Sequence, residues 1–125
     1  MGKRKGQSYW RKKLWNVFRQ YILKRDHYIC VTCFSQVEGR NAQAGHYIAK
    51  GACSNEYYFS EYNVHCQCAG CNLFLEGNRP AMREYIIRRY GEEVLNDIEQ
   101  NYHKPVPSFD FEGKIRYYEE KLKEL

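Results

Sequence analysis

Four of the six cysteines in this chain form two pairs, Cys30-Val31-Thr32-Cys33 and Cys68-Ala69-Gly70-Cys71. Each Cys-x-x-Cys turn presents two thiolates from one tight loop, and two such turns complete a tetrahedral four-sulfur site. The N-terminal residues lack the apolar run of a secretory signal, so metal is expected ahead of disulfides. Structural zinc is the expectation. A closed four-thiolate site keeps no coordination position open, so its ion holds the fold and does no chemistry. Cys53 and Cys66 fall outside the pairs and read as ordinary small residues. With 125 residues and 15.0 kDa there is room for one domain, whose small core gains from an embedded metal.

Charge is the second constraint. The chain carries +5, but residues 1–25 hold nine basic residues (Lys3, Arg4, Lys5, Arg11, Lys12, Lys13, Arg19, Lys24 and Arg25) and no acid. The remainder carries the other 11 basic residues and all 15 acids, a balance of −4. Such asymmetry points to a polyanion partner, most simply nucleic acid. A solubilising tail is an equal reading, and a membrane-surface helix is a weaker third. The mean hydropathy of −0.79 suits a soluble chain. No segment approaches the roughly 20 apolar residues of a membrane span, so no membrane partner is expected.

The expected organisation is a single domain over 1–125. Residues 1–7 read as a disordered basic arm. Ser8 can cap a basic helix reaching residue 25, with Leu14, Trp15, Phe18, Tyr21 and Ile22 on one face. Residues 26–78 form the central unit: a knuckle, a strand at 44–48, a loop over 49–61, a strand at 62–67, the second knuckle, and a short helix that Asn72 opens and Gly77-Asn78 ends. Residues 79–125 are helical. One helix starts at Pro80 and closes at Gly91, one covers 92 to about 100, and one covers about 109–125. The last carries a stripe of Phe111, Ile115, Tyr118, Leu122 and Leu125, for packing either internally or onto a second copy.

The order knuckle, strand with a histidine, loop, strand with an asparagine, knuckle, helix resembles the HNH, or His-Me finger, endonucleases. Ala44-Gly45-His46-Tyr47-Ile48, Asn63-Val64-His65-Cys66-Gln67-Cys68-Ala69-Gly70-Cys71-Asn72 and Glu76-Gly77-Asn78 are similar to one branch, the phage NinG/Rap recombination endonucleases. So is the later run Tyr85, Arg89-Tyr90-Gly91, Val94, Ile98-Glu99. The resemblance implies an α+β fold: a zinc-stapled, treble-clef-like ββα-metal core with flanking N-terminal and C-terminal helices. It implies a divalent-metal-dependent DNA endonuclease for phage recombination, cutting branched DNA such as D-loops or Holliday-type junctions and yielding 5′-phosphate and 3′-hydroxyl ends. It places the protein in the cytoplasm of an infected bacterial host, among phage recombination proteins.

The resemblance also assigns roles. His46 takes the general-base position, and a histidine of ordinary pKa, ~6.5, can take a proton from water at neutral pH. Asn63 takes the position that holds the base-bearing loop. Asn72 takes the ligand position for a catalytic Mg²⁺ or Mn²⁺, a neutral oxygen suited to a hard cation; read alone it could be an N-cap. The residue before the base usually binds that ion, and Gly45 cannot. His65, two residues from Asn63, is the first candidate for the missing ligand, and Glu76, four after Asn72, is the second. For phosphate contact the expected residues are Lys3, Arg4, Lys5, Arg11, Lys12, Lys13 and Arg19, with Lys50 and Arg79. Arg83, Arg88 and Arg89 could extend that surface. One ring of Tyr57, Tyr58 or Phe59 could wedge into unpaired DNA. A two-fold junction would suit a homodimer joined through the Phe109–Leu125 helix. The rival readings are an HNH nuclease of restriction, homing or packaging type, and a zinc module that binds DNA without cutting it.

Overall fold

The structure is a computed structural model that describes residues 5–125. The expected arm at 1–7 therefore lies mostly outside the described residues, as do Lys3 and Arg4. The first element, α1, is Gln7–Arg25. Gly6 caps it in an extended conformation without a side-chain bond, so Ser8 lies inside the helix and is not its cap. Its buried face is Leu14, Val17, Phe18, Ile22 and Leu23, while Trp15 and Tyr21 are half-buried beside it.

Two short antiparallel strands follow, β1 at Gln43–His46 and β2 at Val64–Gln67. They pair Gln43 with Gln67, Ala44 with Cys66, Gly45 with His65 and His46 with Val64. Both are shorter than the sequence pattern predicts. Tyr47 N still donates to Asn63 O at 2.8 Å, but beyond it the chain turns away. The predicted loop 49–61 contains two short helical turns, Lys50–Ala52 and α2 at Asn55–Tyr58, the second opened where Tyr58 N donates to Ser54 O at 2.8 Å.

Side chains alternate across the strands. Ala44 and Val64 face α1, in a core with Leu14, Phe18, Phe59, Phe111, Ile115 and Tyr118. His65 faces the opposite side, its ring 5.2 Å from that of Tyr85. After β2 comes a π-helical turn at Gly70–Phe74, then α3 at Arg79–Tyr90, α4 at Glu92–Asn101 and α5 at Phe111–Glu124. Asn72 sits within the π turn and opens no helix. Asn78 enters α3 in the left-handed region with Pro80 in the first turn. Gly91 joins α3 to α4 at φ +94°, a conformation that glycine adopts without steric cost.

A second core forms where Tyr47 and Ile48 meet Met82 and Ile86 of α3 and Leu95 and Ile98 of α4. The helix α5 returns to lie along α1, with the Phe18 and Tyr118 rings 5.0 Å apart. Phe111, Ile115 and Tyr118 are buried in that contact, Leu122 packs partly against it, and Leu125 at the end of the stripe is exposed. The result is a mixed α+β fold around a two-stranded sheet and a cluster of four cysteines. No described helix is long and apolar enough to cross a membrane.

Candidate metal centre and the His46 cavity

The sulfurs of Cys30, Cys33, Cys68 and Cys71 all lie within 4.8 Å of one another. A Zn–S bond of ~2.3 Å sets tetrahedral sulfurs roughly 3.8 Å apart, and Cys33 Sγ and Cys68 Sγ stand 3.6 Å apart. The residues fit zinc. Donors surround the sulfurs as thiolates require: Cys71 N donates to Cys68 Sγ at 3.3 Å, and the Thr32 hydroxyl lies 3.3 Å from Cys30 Sγ. Burial opposes a charged Cys30, yet the Thr32 hydroxyl and nearby backbone N–H groups bring its thiol down to about 6. Burial pushes Cys71 up to about 12, a cost that a dication in the cluster would offset. Cys66 is buried outside the cluster with its thiol also pushed up to about 12, and Cys53 is half-buried. The knuckles are tied to the sheet, since Val31 N donates to Cys66 O at 3.0 Å.

At the end of β1, His46 opens onto a cavity of about 330 Å³ that Asn72, Leu73, Glu76, Gly77 and Arg79 also line. A larger cavity of about 510 Å³ lies elsewhere, between Tyr21, Glu61, Tyr90 and Asp97, and shares no residue with it. The imidazole of His46 stacks on Trp15 of α1, with ring centres 5.3 Å apart and planes at 21°. Its Nε2 lies 2.9 Å from the Tyr58 carbonyl. A carbonyl can only accept, so Nε2 carries the hydrogen and Nδ1 is the basic nitrogen of the neutral ring.

Asn63, fully buried, builds the support behind that ring. Its Oδ1 accepts from Ile48 N at 2.9 Å, and its Nδ2 donates to Tyr57 O at 3.0 Å. One amide thus ties the residue two beyond His46 to the residue just before Tyr58. These are the two ends of the loop whose carbonyl holds the imidazole.

Glu76 and Asn72 reach the same cavity, but helical spacing is not the cause. Glu76 lies past the π turn in the left-handed region. His65 does not reach it. It is fully buried, with Nε2 3.0 Å from the Tyr90 hydroxyl. Burial pushes it down to about 3, and Arg25 and Arg89 oppose its protonation while Asp26 favours it. As a ligand beside Asn72 it is therefore corrected: β2 carries it to the α3 side. That side holds a buried ionic group the sequence pattern did not reveal. Arg25 donates twice to Asp26, Arg89 donates to it at 3.0 Å, and Cys66 N donates to it at 2.9 Å. Burial alone would raise the Asp26 carboxyl, and the Arg25 bonds hold it below the usual carboxylate range.

Position 45 accepts no side chain. A Cβ there would overlap Gln67 Oε1 and stand 2.8 Å from Asn72 Oδ1.

The basic residues separate. Arg11 lies over the Tyr58 ring at 4.5 Å, and with Lys12 it lines a shallow cavity beside Trp15, next to His46. Arg79 stands at the mouth of the His46 cavity, 5.5 Å over Tyr47. Lys13 lines a different surface with Trp10 and Arg116, and Lys5 lies over Tyr9. Arg19 is half-buried, and Lys50 starts the short turn Lys50–Ala52. Of the ring triplet proposed as a wedge, Phe59 is core, Tyr58 lies beneath Arg11, and the Tyr57 hydroxyl donates to Asp97. The exposed apolar tip is instead Leu73-Phe74-Leu75, with Phe74 83% exposed. The sequence reading did not single it out, because an apolar triplet alone does not show whether another element covers it.

Against known proteins, the family described as bacteriophage lambda NinG protein matches residues 2–125. Protein ninG of Escherichia phage lambda is 32% identical over 123 residues, which are 97% of this chain and 59% of the phage protein. Protein ninG of Salmonella phage P22 is 30% identical over 123 residues, 97% of this chain and 60% of its own length. Protein ninG of Enterobacteria phage H19B is 34% identical over 102 residues, 80% of this chain and 49% of its own. The chain spans about three fifths of the length of the phage lambda and P22 proteins. No solved structure matches it. Because the match runs through both knuckles, both strands and all five helices, the chain belongs to the NinG family of phage proteins.

Proposed function

We propose that this chain is a divalent-metal-dependent DNA endonuclease that acts on branched recombination intermediates in the cytoplasm of an infected host. The observation that carries the reading is the setting of His46. An imidazole is pinned through Nε2 at a cavity edge, beside an amide and a carboxylate that suit a hard cation.

In this reading His46 accepts through Nδ1 a proton from the water that attacks the phosphodiester phosphorus. The P–O3′ bond then breaks, the electron pair leaves on O3′, and O3′ takes a proton from solvent water, giving a 5′-phosphate and a 3′-hydroxyl. The Trp15 stack and the Tyr58 carbonyl keep the imidazole from rotating, and Asn63 keeps Tyr58 in place. Asn72 and Glu76 would hold Mg²⁺ or Mn²⁺, which when bound neutralises charge on the phosphate and the leaving oxygen. Arg79, Arg11 and Lys12 would bracket the backbone of the substrate from two sides, a sequence-blind and salt-dependent contact. The Leu73-Phe74-Leu75 tip beside the cavity offers apolar surface to unstacked bases, which supports a branched over a linear substrate.

The test is cleavage of linear duplex, flap and four-way DNA with Mg²⁺ or Mn²⁺, for the zinc-loaded chain and its His46→Ala variant. The expected result is cutting of branched DNA that His46→Ala abolishes. Cutting at one sequence of linear duplex would instead mark a restriction or homing type. Binding without His46-dependent cutting would mark a non-catalytic zinc module.

A further inference from the structure

Beside His46 the chain folds two amide oxygens onto one point. Gln67 Nε2 donates to Gly77 O at 2.8 Å and to Thr32 Oγ1 at 3.1 Å. Because a carbonyl can only accept, the nitrogen must face Gly77, and Oε1 must face the other way. Gln43 Nε2 donates to Arg40 O at 3.1 Å, so Gln43 Oε1 is the acceptor, and Asn72 Nδ2 donates to it at 2.8 Å. That leaves Asn72 Oδ1 facing inward too. Both oxygens lie within 2.8 Å of the place where a Cβ of residue 45 would stand. Gln67 is fully buried, and among the described residues no donor reaches its Oε1.

Two carbonyl oxygens crowded at one point repel, and burying one without a donor costs free energy. A cation between them removes both penalties. Amide oxygens are hard, neutral ligands of the kind that Mg²⁺, Mn²⁺ and Ca²⁺ take. Asn72 is half-buried and lines the His46 cavity, while Gln67 Oε1 is sealed from solvent. Gly45 precedes His46 in β1.

We infer that Gln67 Oε1 and Asn72 Oδ1 together bind a divalent cation over Gly45, so that Gln67 supplies the ligand the glycine lacks. The inference rests on the nuclease reading for its purpose but not for its geometry. Gly45 is then required as the space the ion's ligands occupy. The two amides supply no charge, so the site is weak in the free protein. It tightens when substrate phosphate adds oxygens, as Mg²⁺ sites with few protein ligands do. The backbone acceptors Gly77 O and Arg40 O keep the two oxygens aimed before the ion arrives.

The experiment is a Mn²⁺ titration of the zinc-loaded, ¹⁵N-labelled chain, followed by paramagnetic broadening in NMR spectra. The side-chain NH₂ signals of Gln67 and Asn72 and the backbone N–H of Gly45 are expected to vanish first. Gln67→Met, which keeps the volume and removes the oxygen, is expected to raise the Mn²⁺ dissociation constant at least about tenfold, a change of ~1.4 kcal/mol. If that variant fails to fold, Gly45→Ala serves in its place. It removes no polar group yet fills the point, and the same loss is expected. Persistence of the Gln67 signal while those of Asn72 and Glu76 broaden overturns the inference, as does the absence of any selective broadening. In either case His46-dependent cleavage would leave the nuclease reading intact. Conversely, Mn²⁺ bound at Gln67 without cleavage of any DNA would keep the site and remove the reading.

Discussion

Two histidines on the same small sheet have opposite surroundings. His46 ends β1 at a cavity, held by one backbone carbonyl and one indole face. His65 lies in the middle of β2, fully buried among Tyr85, Tyr90 and the Arg25–Asp26–Arg89 group. The strand pleat makes the difference. His65 stands opposite Gly45, on the side that α3 covers, whereas His46 and Val64 turn toward α1. An imidazole suits catalysis where one nitrogen is fixed and the ring reaches a cavity, and it suits packing where the ring is sealed and neutral.

Zinc removal should erase the contrast altogether. Cys68 follows Gln67 directly, and Val31 N holds the first knuckle to β2, so both histidines depend on the cluster. Cys71→Ser, or strong chelation, is expected to abolish the cooperative thermal transition seen by circular dichroism, since structural zinc contributes on the order of 10 kcal/mol to small domains. If the environments of His46 and His65 loosened separately in hydrogen exchange, the two regions would be independent units.

Replacing each histidine in turn is the next largest effect. His46→Ala is expected to lower cleavage by about 10²–10⁴-fold while the fold persists. His65→Leu is expected to leave cleavage per folded molecule unchanged. Steady-state rates beside melting curves for both variants check this, and a large rate loss in His65→Leu would break the comparison.

Asn63→Ala sharpens it from the other side. The change leaves the Ile48 N–H and the Tyr57 carbonyl without their partner. Each such loss costs about 1–3 kcal/mol. Urea denaturation measures that, and the rate should fall more than stability alone explains, because the Tyr58 carbonyl no longer holds His46.

The most gradual effect is in pH. His65 is held at about 3 in the folded protein, below the ~6.5 of an unfolded histidine. The unfolded chain therefore binds the extra proton. His65 contributes full stability above about pH 6.5, and that contribution declines through the window down to about pH 3, by at most about 1.4 kcal/mol per pH unit. The lowered Asp26 carboxyl adds loss at the acid end, below the ordinary carboxylate range. Urea midpoints from pH 7 to 4 should slope for the parent chain and flatten for His65→Leu.

Much of the scaffold was legible in the residues. The two Cys-x-x-Cys pairs announced the metal cluster, and Pro80, Gly91 and the apolar spacing announced the helices with small errors at their ends. The site was legible only through the family resemblance, which picked out His46, Asn63 and Asn72; the fold brings His46 and Asn72 to one cavity and Asn63 to the loop beside it. It was not legible for His65. Two-residue spacing shows that Asn63, His65 and Gln67 alternate together, but not which layer covers them at each point. The tip at Leu73-Phe74-Leu75 was not legible for the same reason, because apolar character does not say whether another element lies above.

What the sequence determined alone is local chemistry: four thiols in two tight turns, a basic first helix, a histidine in a strand, and an asparagine one residue beyond the last cysteine. Those follow from neighbours along the chain. Tertiary structure decided which side of β2 is sealed, where Arg25 and Arg89 meet Asp26, and which way three amides turn. Amide orientation is set by carbonyls from distant segments, Gly77 for Gln67 and Arg40 by way of Gln43 for Asn72. A hydrogen bond has direction, and that direction exists only once the chain has brought its donor and acceptor together.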